Sequence, residues 1–152
     1  MKTKEQNTTL NILLADDDPD DRLFFKEALK EFSLATSLTT VPNGEHLMQL
    51  LTNETNELPD VLFLDMNMPR KNGFECLSEI KGNEKLKALP VIIFSTSFEQ
   101  EVVNLLYKNG AQHFIRKPSE FSQFKKIIQQ TLTLMTGADI STPTEENFVV
   151  SM

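Results

Sequence analysis

Short apolar runs alternate with longer amphipathic segments along most of the chain. Each amphipathic segment repeats its apolar residues at helical spacing, whereas the runs have the length and composition of buried strands. The strand-like runs are residues 10–15, 37–41, 61–64, 91–94 and 113–115, and the helical segments are residues 20–32, 44–51, 73–81, 99–109 and 119–135. This alternation predicts an α/β fold built on a five-stranded, doubly wound parallel sheet. The run at 37–41 is the least apolar, so we expect it at an edge of the sheet.

The two ends of the chain differ from this pattern. Residues 1–8 form a polar N-terminal extension, and residues 9–136 contain all the periodic segments. From Gly137 to the end the composition is rich in Ser, Thr, Pro and Glu, so residues 137–152 are expected to be a flexible tail. Residues 148–150, Phe-Val-Val, could add a strand to a partner, but a frayed terminus is the favoured interpretation.

Composition limits the function further. A chain of 152 residues with 39% hydrophobic and 24% charged residues fits one globular domain. The net charge of -7 and the lack of a basic stripe argue against a nucleic-acid partner. Apolar stretches are far shorter than the ~20 residues that cross a bilayer, and no signal peptide is evident, so a cytoplasmic location without membrane contact is expected. The single cysteine, Cys76, fits a small packing residue.

Polar side chains that could contact a phosphoryl group follow four of the predicted strands. Asp16 and Asp17 follow the first, Asp65 the third, Ser95 the fourth and Lys117 the fifth. The carboxyl ends of parallel strands meet at one edge of a sheet, where open α/β sheets bind ligands. Three carboxylates brought together there require a cation, and Mg²⁺ suits them because it is held by few carboxylates and keeps other positions for phosphate oxygens. A carboxylate can attack phosphorus, so the pattern predicts a metal site and a nucleophile.

A calcium-binding loop is one alternative for the acidic run that begins at Asp16. Asp16, Asp18, Asp20 and Glu27 match ligand positions of an EF-hand. However, the sixth position is Asp21 instead of the required Gly, and a strand rather than a helix enters the loop. Asp18, Asp20 and Asp21 are therefore interpreted as residues of a turn and a helix N-terminus.

Four ordered motifs together resemble the receiver domain of two-component response regulators. The motifs are Leu-Leu-Ala-Asp-Asp-Asp-Pro at 13–19, Leu-Asp-Met-Asn-Met-Pro at 64–69 with Gly73, Ile-Phe-Ser at 93–95, and Phe-Ile-Arg-Lys-Pro at 114–118. The resemblance covers about residues 8 to 136. It implies a flavodoxin-like sheet of order 2-1-3-4-5 with helices on both faces.

The resemblance also implies a role for each motif residue. Asp65 would accept a phosphoryl group from a histidine kinase or phosphotransfer protein, with Lys117 paired to that group and a cis peptide bond before Pro118. Ser95 and Phe114 would be the switch residues, Ser95 moving toward phosphorylated Asp65 and Phe114 turning inward behind it. Asn67 and Ser97 would tune the lifetime of the phosphorylated state. The implied Mg²⁺ ligands are Asp17 and Asp65 directly, Asp16 mainly through a water, and the backbone carbonyl of Asn67.

Signal output is expected through protein contact, because no DNA-binding or catalytic segment follows residue 136. The expected changing surface is formed by the helix at 99–109, the strand at 113–115 and the last helix, and it is also the candidate homodimer face. Its surface residues would include Lys108, Gln112, His113 and Arg116. His113 and His46 have no metal-spaced neighbour and are interpreted as ordinary residues rather than ligands.

Two other functions share part of this residue pattern. A magnesium-dependent phosphatase of the haloacid dehalogenase type also uses an Asp nucleophile with Ser and Lys at strand ends. It needs a second Asp two residues after the nucleophile, and here that position is Asn67, which cannot act as a general acid or base. An adaptor of receiver shape without phosphorylation is the third possibility, disfavoured because every reactive position is filled.

Overall fold

A six-stranded parallel sheet forms the centre of the molecule in the computed structural model, which describes residues 9–136 and 144–150. The strand order is β2-β1-β3-β4-β5-β6. The five-stranded order 2-1-3-4-5 is therefore confirmed, with one further strand beyond β5. The strands are β1 (Leu10–Ala15), β2 (Thr36–Val41), β3 (Val61–Asp65), β4 (Val91–Ser95), β5 (His113–Arg116) and β6 (Val149–Val150).

Five helices connect the first five strands and follow the last of them. They are α1 (Pro19–Lys30), α2 (Gly44–Thr52), α3 (Gly73–Lys81), α4 (Gln100–Lys108) and α5 (Phe121–Met135). Three of the helices begin at side-chain caps, supplied by Asp18, Asn43 and Asn72. Such caps satisfy backbone N–H groups that have no partner within the helix. None of the helices in the described part of the chain has the length and apolar character that a bilayer crossing requires.

Each face of the sheet has its own hydrophobic core. One core joins the sheet to α2, α3 and α4, and Leu77, Ile93 and Leu106 are among its buried residues. The other joins the sheet to α1 and α5 through T-shaped contacts among phenylalanines, such as Phe25 with Phe63. Helices thus cover both faces, as expected for a doubly wound sheet.

Cys76 lies within the first of these cores and is fully buried. Burial raises the pKa of its thiol to about 11, so the thiolate that would react is disfavoured. The interpretation of Cys76 as a packing residue agrees with the structure.

The strands β3, β4 and β5 each extend one residue beyond the predicted end. Asp65 and Ser95 are therefore the last residues of β3 and β4, and their backbones are held by the sheet. Lys117 directly follows β5, and its N–H donates to the Ser95 carbonyl oxygen at 2.7 Å. Backbone hydrogen bonds of the sheet therefore hold the polar residues at the strand ends in place.

The sixth strand is the main difference from the sequence prediction. Val149 pairs with Phe114 and Val150 with Ile115, parallel to β5. Phe148 is buried beside Tyr107, with their ring centroids 5.3 Å apart. The prediction of a flexible tail is thus wrong for residues 144–150, because burial of Phe148 and Val150 and pairing with β5 order this segment. The rest of the predicted tail and the N-terminal extension at 1–8 lie outside the described residues.

Candidate functional site

Three carboxylates converge at the carboxyl ends of β1 and β3. Asp16 and Asp17 directly follow β1, and Asp65 ends β3. Their side chains offer oxygen atoms that all lie within 4.8 Å of one another. Asp16 and Asp65 are buried and Asp17 is exposed, so the group opens to solvent on one side. The sequence prediction that these residues meet is confirmed.

Lys117 supplies a positive charge to this group. Its Nζ lies 2.9 Å from Asp16 Oδ2, 3.5 Å from Asp65 Oδ2 and 2.7 Å from Asp21 Oδ2. Only 6% of the lysine side chain is exposed, so solvent screens these ion pairs weakly. The ammonium also lies 5.1 Å from the centre of the Phe94 ring, a contact that favours a cation.

The electrostatics of the site disfavour full ionisation of its carboxylates. Burial raises the pKa of Asp16 to about 7, although Lys117 opposes this shift. Burial likewise raises the pKa of Asp65, again against the effect of Lys117. Burial alone would lower the pKa of Lys117, but Asp16, Asp21 and Asp65 outweigh it and raise the pKa above the ordinary value. One ammonium is thus insufficient for the surrounding acids.

A divalent cation fits the three carboxylates. Asp16 Oδ2 is buried, and apart from the Lys117 ammonium at 2.9 Å no described residue offers it a partner. The same ammonium also contacts Asp21 and Asp65, so a further cation would stabilise the buried carboxylate oxygens. Hard divalent cations prefer such oxygen ligands.

Hydrogen bonds hold the loop after Asp65 close to the Asp65 carboxylate. The Asn67 N–H donates to Asp65 Oδ1 at 3.2 Å, and the Gly73 N–H donates to the Met66 carbonyl oxygen at 3.0 Å. A Cβ atom at Gly73 would lie 2.5 Å from the Asp65 carbonyl oxygen, so only glycine permits this close approach. Ligation by the Asn67 carbonyl stays a prediction.

Ser95 and Phe114 lie together on the other side of Asp65. Both are buried, and both line a cavity of about 180 Å³ that also contacts Met66 and α4. The Ser95 hydroxyl accepts a hydrogen bond from the Ser97 N–H at 3.2 Å. The Phe114 side chain is buried inside the molecule and makes an edge contact with Phe98. The two residues implied as a switch are therefore neighbours, with open space beside them.

Two details differ from the sequence predictions. No cis peptide bond occurs among the described residues, so the predicted cis bond before Pro118 is wrong, and the intrinsically preferred trans form is present. His113 is buried instead of lying at the surface, because residues 148–150 cover β5, and its Nδ1 lies 3.1 Å from the Phe148 carbonyl oxygen. Its interpretation as an ordinary strand residue agrees with this contact.

Asp21 is the site residue that the sequence prediction missed. The sequence predicts Asp21 at the start of a helix, and it does lie in the first turn of α1. However, its carboxylate accepts a hydrogen bond from Lys117 Nζ at 2.7 Å, although the two residues are 96 positions apart. No local pattern indicates this contact, because the helix begins only at Pro19 and Asp21 reaches Lys117 through the tertiary fold.

Comparison with known proteins identifies the family. The sequence matches the model of the response regulator receiver domain over residues 12–129, which is most of the chain. The chain belongs to this family. The receiver fold and the strand-end acidic site therefore agree with the motif resemblance, and nothing in the comparisons supports the phosphatase alternative.

Individual receivers are similar over nearly their whole length. Response regulator Rcp1 of Synechocystis sp. is 30% identical over 129 residues, which cover 82% of this chain and 88% of that protein. The crystal structure of the phosphorylated cyanobacterial phytochrome response regulator RcpA is 28% identical, with a TM-score of 0.82 over 90% of this chain and all of that one.

A further solved structure bears on the metal site. The Mn²⁺-bound form of Rcp1 has a TM-score of 0.79 and 28% identity, and the match covers 88% of this chain and 99% of that one. A receiver of this shape thus binds a divalent ion, which agrees with the fit of such an ion to Asp16, Asp17 and Asp65.

Proposed function

We propose that this receiver accepts a phosphoryl group on Asp65 from a phosphohistidine of a sensor histidine kinase or a phosphotransfer protein. The observation that carries this proposal is the position of Asp65 at the end of β3, beside Asp16 and Asp17 and 3.5 Å from the Lys117 ammonium. A nucleophilic carboxylate, a set of metal-binding oxygens and a fixed cation are the parts that phosphoryl transfer to a carboxylate needs.

The transfer forms one bond and breaks one bond at phosphorus. An Asp65 carboxylate oxygen donates an electron pair to phosphorus, and the bond from phosphorus to the donor imidazole nitrogen breaks. The electron pair of that bond stays on the imidazole, which then takes up a proton. Lys117 pairs with a phosphoryl oxygen and so offsets charge in the transition state. The divalent ion, proposed here as Mg²⁺, supplies further neutralisation of the phosphoryl oxygens when it is bound by Asp16, Asp17, Asp65 and the Asn67 carbonyl.

The product is expected to persist as a signal instead of being turned over quickly. Hydrolysis of an acyl phosphate needs an activated water, and Asn67 cannot remove a proton from one. The protein would therefore dephosphorylate itself at most slowly, with Asn67 and Ser97 near the phosphoryl group setting the lifetime.

Output would pass through protein contact in the cytoplasm. Ser95 would move toward the phosphoryl group and Phe114 would respond, biasing α4, β5 and α5 between two arrangements. This face is the proposed surface for a downstream protein or for a second copy of the chain. Because RcpA is described as a phytochrome response regulator, a light-regulated kinase is the first donor to test.

The test uses small phosphodonors with Mg²⁺ and intact-mass measurement. Acetyl phosphate and phosphoramidate, which contains a P–N bond like that of phosphohistidine, should add one acid-stable, base-labile phosphoryl group to the wild type. Asp65→Asn should add none. Asp60→Asn is the matched control, because Asp60 precedes β3 at the opposite end of the sheet, where its carboxylate accepts a hydrogen bond from Asn11 N–H.

Two outcomes would contradict the proposal. One is the absence of label on the wild type with both small donors and with a phosphorylated histidine kinase. The other is many turnovers of a phosphate monoester per protein molecule, which would favour a phosphatase.

A further inference from the structure

Lys117 has a carboxylate partner outside the proposed metal ligands. Its hydrogen bond to Asp21 Oδ2, at 2.7 Å, is shorter than its contacts with Asp16 and Asp65. Among the described residues, the carboxylates that converge as metal ligands are those of Asp16, Asp17 and Asp65, and Asp21 is not one of them. The lysine is therefore tied to α1 by a charge that a bound divalent ion would not engage.

The start of α1 is built so that Asp21 faces the lysine. Pro19 occupies the first turn, and the Asp18 side chain caps the helix by accepting a hydrogen bond from the Asp20 N–H at 2.9 Å. Arg22 ties the same turn to β1, since its guanidinium donates to the Asp16 carbonyl oxygen at 2.7 Å. The helix N-terminus thus has a fixed position relative to the strand ends.

The side chain of Asp21 is more buried than that of its acidic neighbour Asp20. The Asp21 side chain is 17% exposed and its partner Lys117 is 6% exposed, whereas Asp20 lies on the exposed side of the helix. Ion pairs that are screened little by solvent, and that include an aligned hydrogen bond, are the ones that hold a side chain in place.

We propose that Asp21 is a positioning residue for phosphoryl transfer, acting through Lys117. This inference rests on the proposed function. An ammonium has three N–H donors, so a bond to Asp21 leaves others for Asp16 and for the phosphoryl group on Asp65. Asp21 holds Nζ at the α1 side of Asp65, where the lysine can contact a phosphoryl oxygen. Without this anchor the long side chain would populate other rotamers, and the lysine would meet the phosphoryl group less often.

The test compares the phosphorylation rate constants of isosteric variants at saturating phosphoramidate and Mg²⁺. Asp21→Asn should lower the rate constant about tenfold, which is the lower end of the cost of removing a partner that orients a metal ligand, a comparable orienting role. Asp21→Glu, which restores the charge, should recover part of the loss. The matched control Asp20→Asn removes one charge from the same helical turn and should leave the rate within about twofold of wild type.

A double-mutant cycle shows whether Asp21 acts through the lysine. In a Lys117→Ala background, or Lys117→Gln if the first variant does not fold, Asp21→Asn should produce no further loss. An unchanged or faster rate in Asp21→Asn would overturn the proposal, as would a full tenfold loss that persists without Lys117.

A second readout separates this proposal from the proposed function. In metal-free protein, the Lys117 ammonium protons should exchange slowly with water and give a resolved NMR signal that Asp21→Asn removes. A signal that persists in Asp21→Asn would contradict the anchoring role. Absence of phosphorylation in the wild type would contradict the function of Asp65, and the ammonium signal would still test the Asp21 contact.

Discussion

Asp65 lies between two unlike regions of the same sheet edge. The region toward α1 contains Asp16, Asp21 and Lys117, held together by contacts of 2.7 and 2.9 Å between buried or half-buried charges. The region toward α4 contains the uncharged side chains of Ser95 and Phe114 beside a cavity of about 180 Å³. Fixed charges suit binding and transfer of a phosphoryl group, whereas open space beside a hydroxyl and an aromatic ring suits a rearrangement. The difference suggests that reaction and response occupy opposite sides of one carboxylate.

Removal of Lys117 should have the largest effect, because it leaves buried acids without their cation. Lys117→Ala should lower the phosphorylation rate by roughly 100-fold, as for loss of one group that stabilises transition-state charge. It should also lower the free energy of unfolding by about 3 kcal/mol near neutral pH. Mass spectrometry and urea unfolding measure the two quantities.

Lys125→Ala is a suitable control for this prediction. Lys125 also pairs with an acid, Glu31, but its side chain is 26% exposed and lies away from Asp65. If Lys117→Ala were phosphorylated as fast as Lys125→Ala, the α1 region would not be the reactive side.

The pH dependence of stability should come from the same region. The folded protein holds a proton on Asp16 up to a pKa of about 7, whereas the unfolded chain releases it near 3.8. The folded state therefore binds more protons between these values, and the free energy of unfolding of metal-free protein should fall as the pH rises through this window, by about 4 kcal/mol.

Added Mg²⁺ should restore much of this loss at neutral pH, because the cation stabilises the ionised carboxylates. Asp16→Asn should flatten the slope, and Ser95→Ala should leave it unchanged. If the free energy of unfolding were constant over this pH range, with and without Mg²⁺, burial would not raise the pKa of Asp16 in the folded protein.

The smallest effect on the reaction is expected on the α4 side. Ser95→Ala should be phosphorylated within about threefold of the wild-type rate and lose at most about 1 kcal/mol of stability, the usual contribution of one hydrogen bond. It should, however, lose the response. Tyr107 is the only tyrosine and the chain has no tryptophan, so tyrosine fluorescence reports on α4 and its contact with Phe148.

Phosphorylation should change this fluorescence in the wild type and in the exposed-serine control Ser78→Ala, but not in Ser95→Ala. An equal change in all three proteins would mean that the response does not pass through the Ser95 hydroxyl.

The sequence alone predicts the site residues that directly follow apolar runs. Asp65 and Lys117 can be predicted because each directly follows an apolar run, and parallel strands bring their carboxyl ends to one edge. The contact between Asp21 and Lys117 depends on how α1 is rotated about its axis. That rotation is set by the capping at Asp18 and by packing of Phe25 against the sheet, neither of which a motif records.

The sixth strand escaped prediction for a related reason. Two valines after a polar segment have no periodicity to measure, and what orders them is the exposed edge of β5 and a place for the Phe148 ring. Local pattern could not supply this partner, because it lies more than thirty residues earlier in the chain.

The two edges of the sheet differ in the polarity and burial of their residues. At one edge, four of the six residues of β2 are serine or threonine, and three of these four are exposed. At the other, β6 covers β5, in which Phe114 and Ile115 are both buried, and the Phe114 N–H donates to the Phe148 carbonyl oxygen at 3.0 Å. An uncovered apolar edge strand is a template for pairing with other chains. A shortened protein ending at residue 136, which the polar composition beyond that point would invite, would expose this edge and be prone to aggregate.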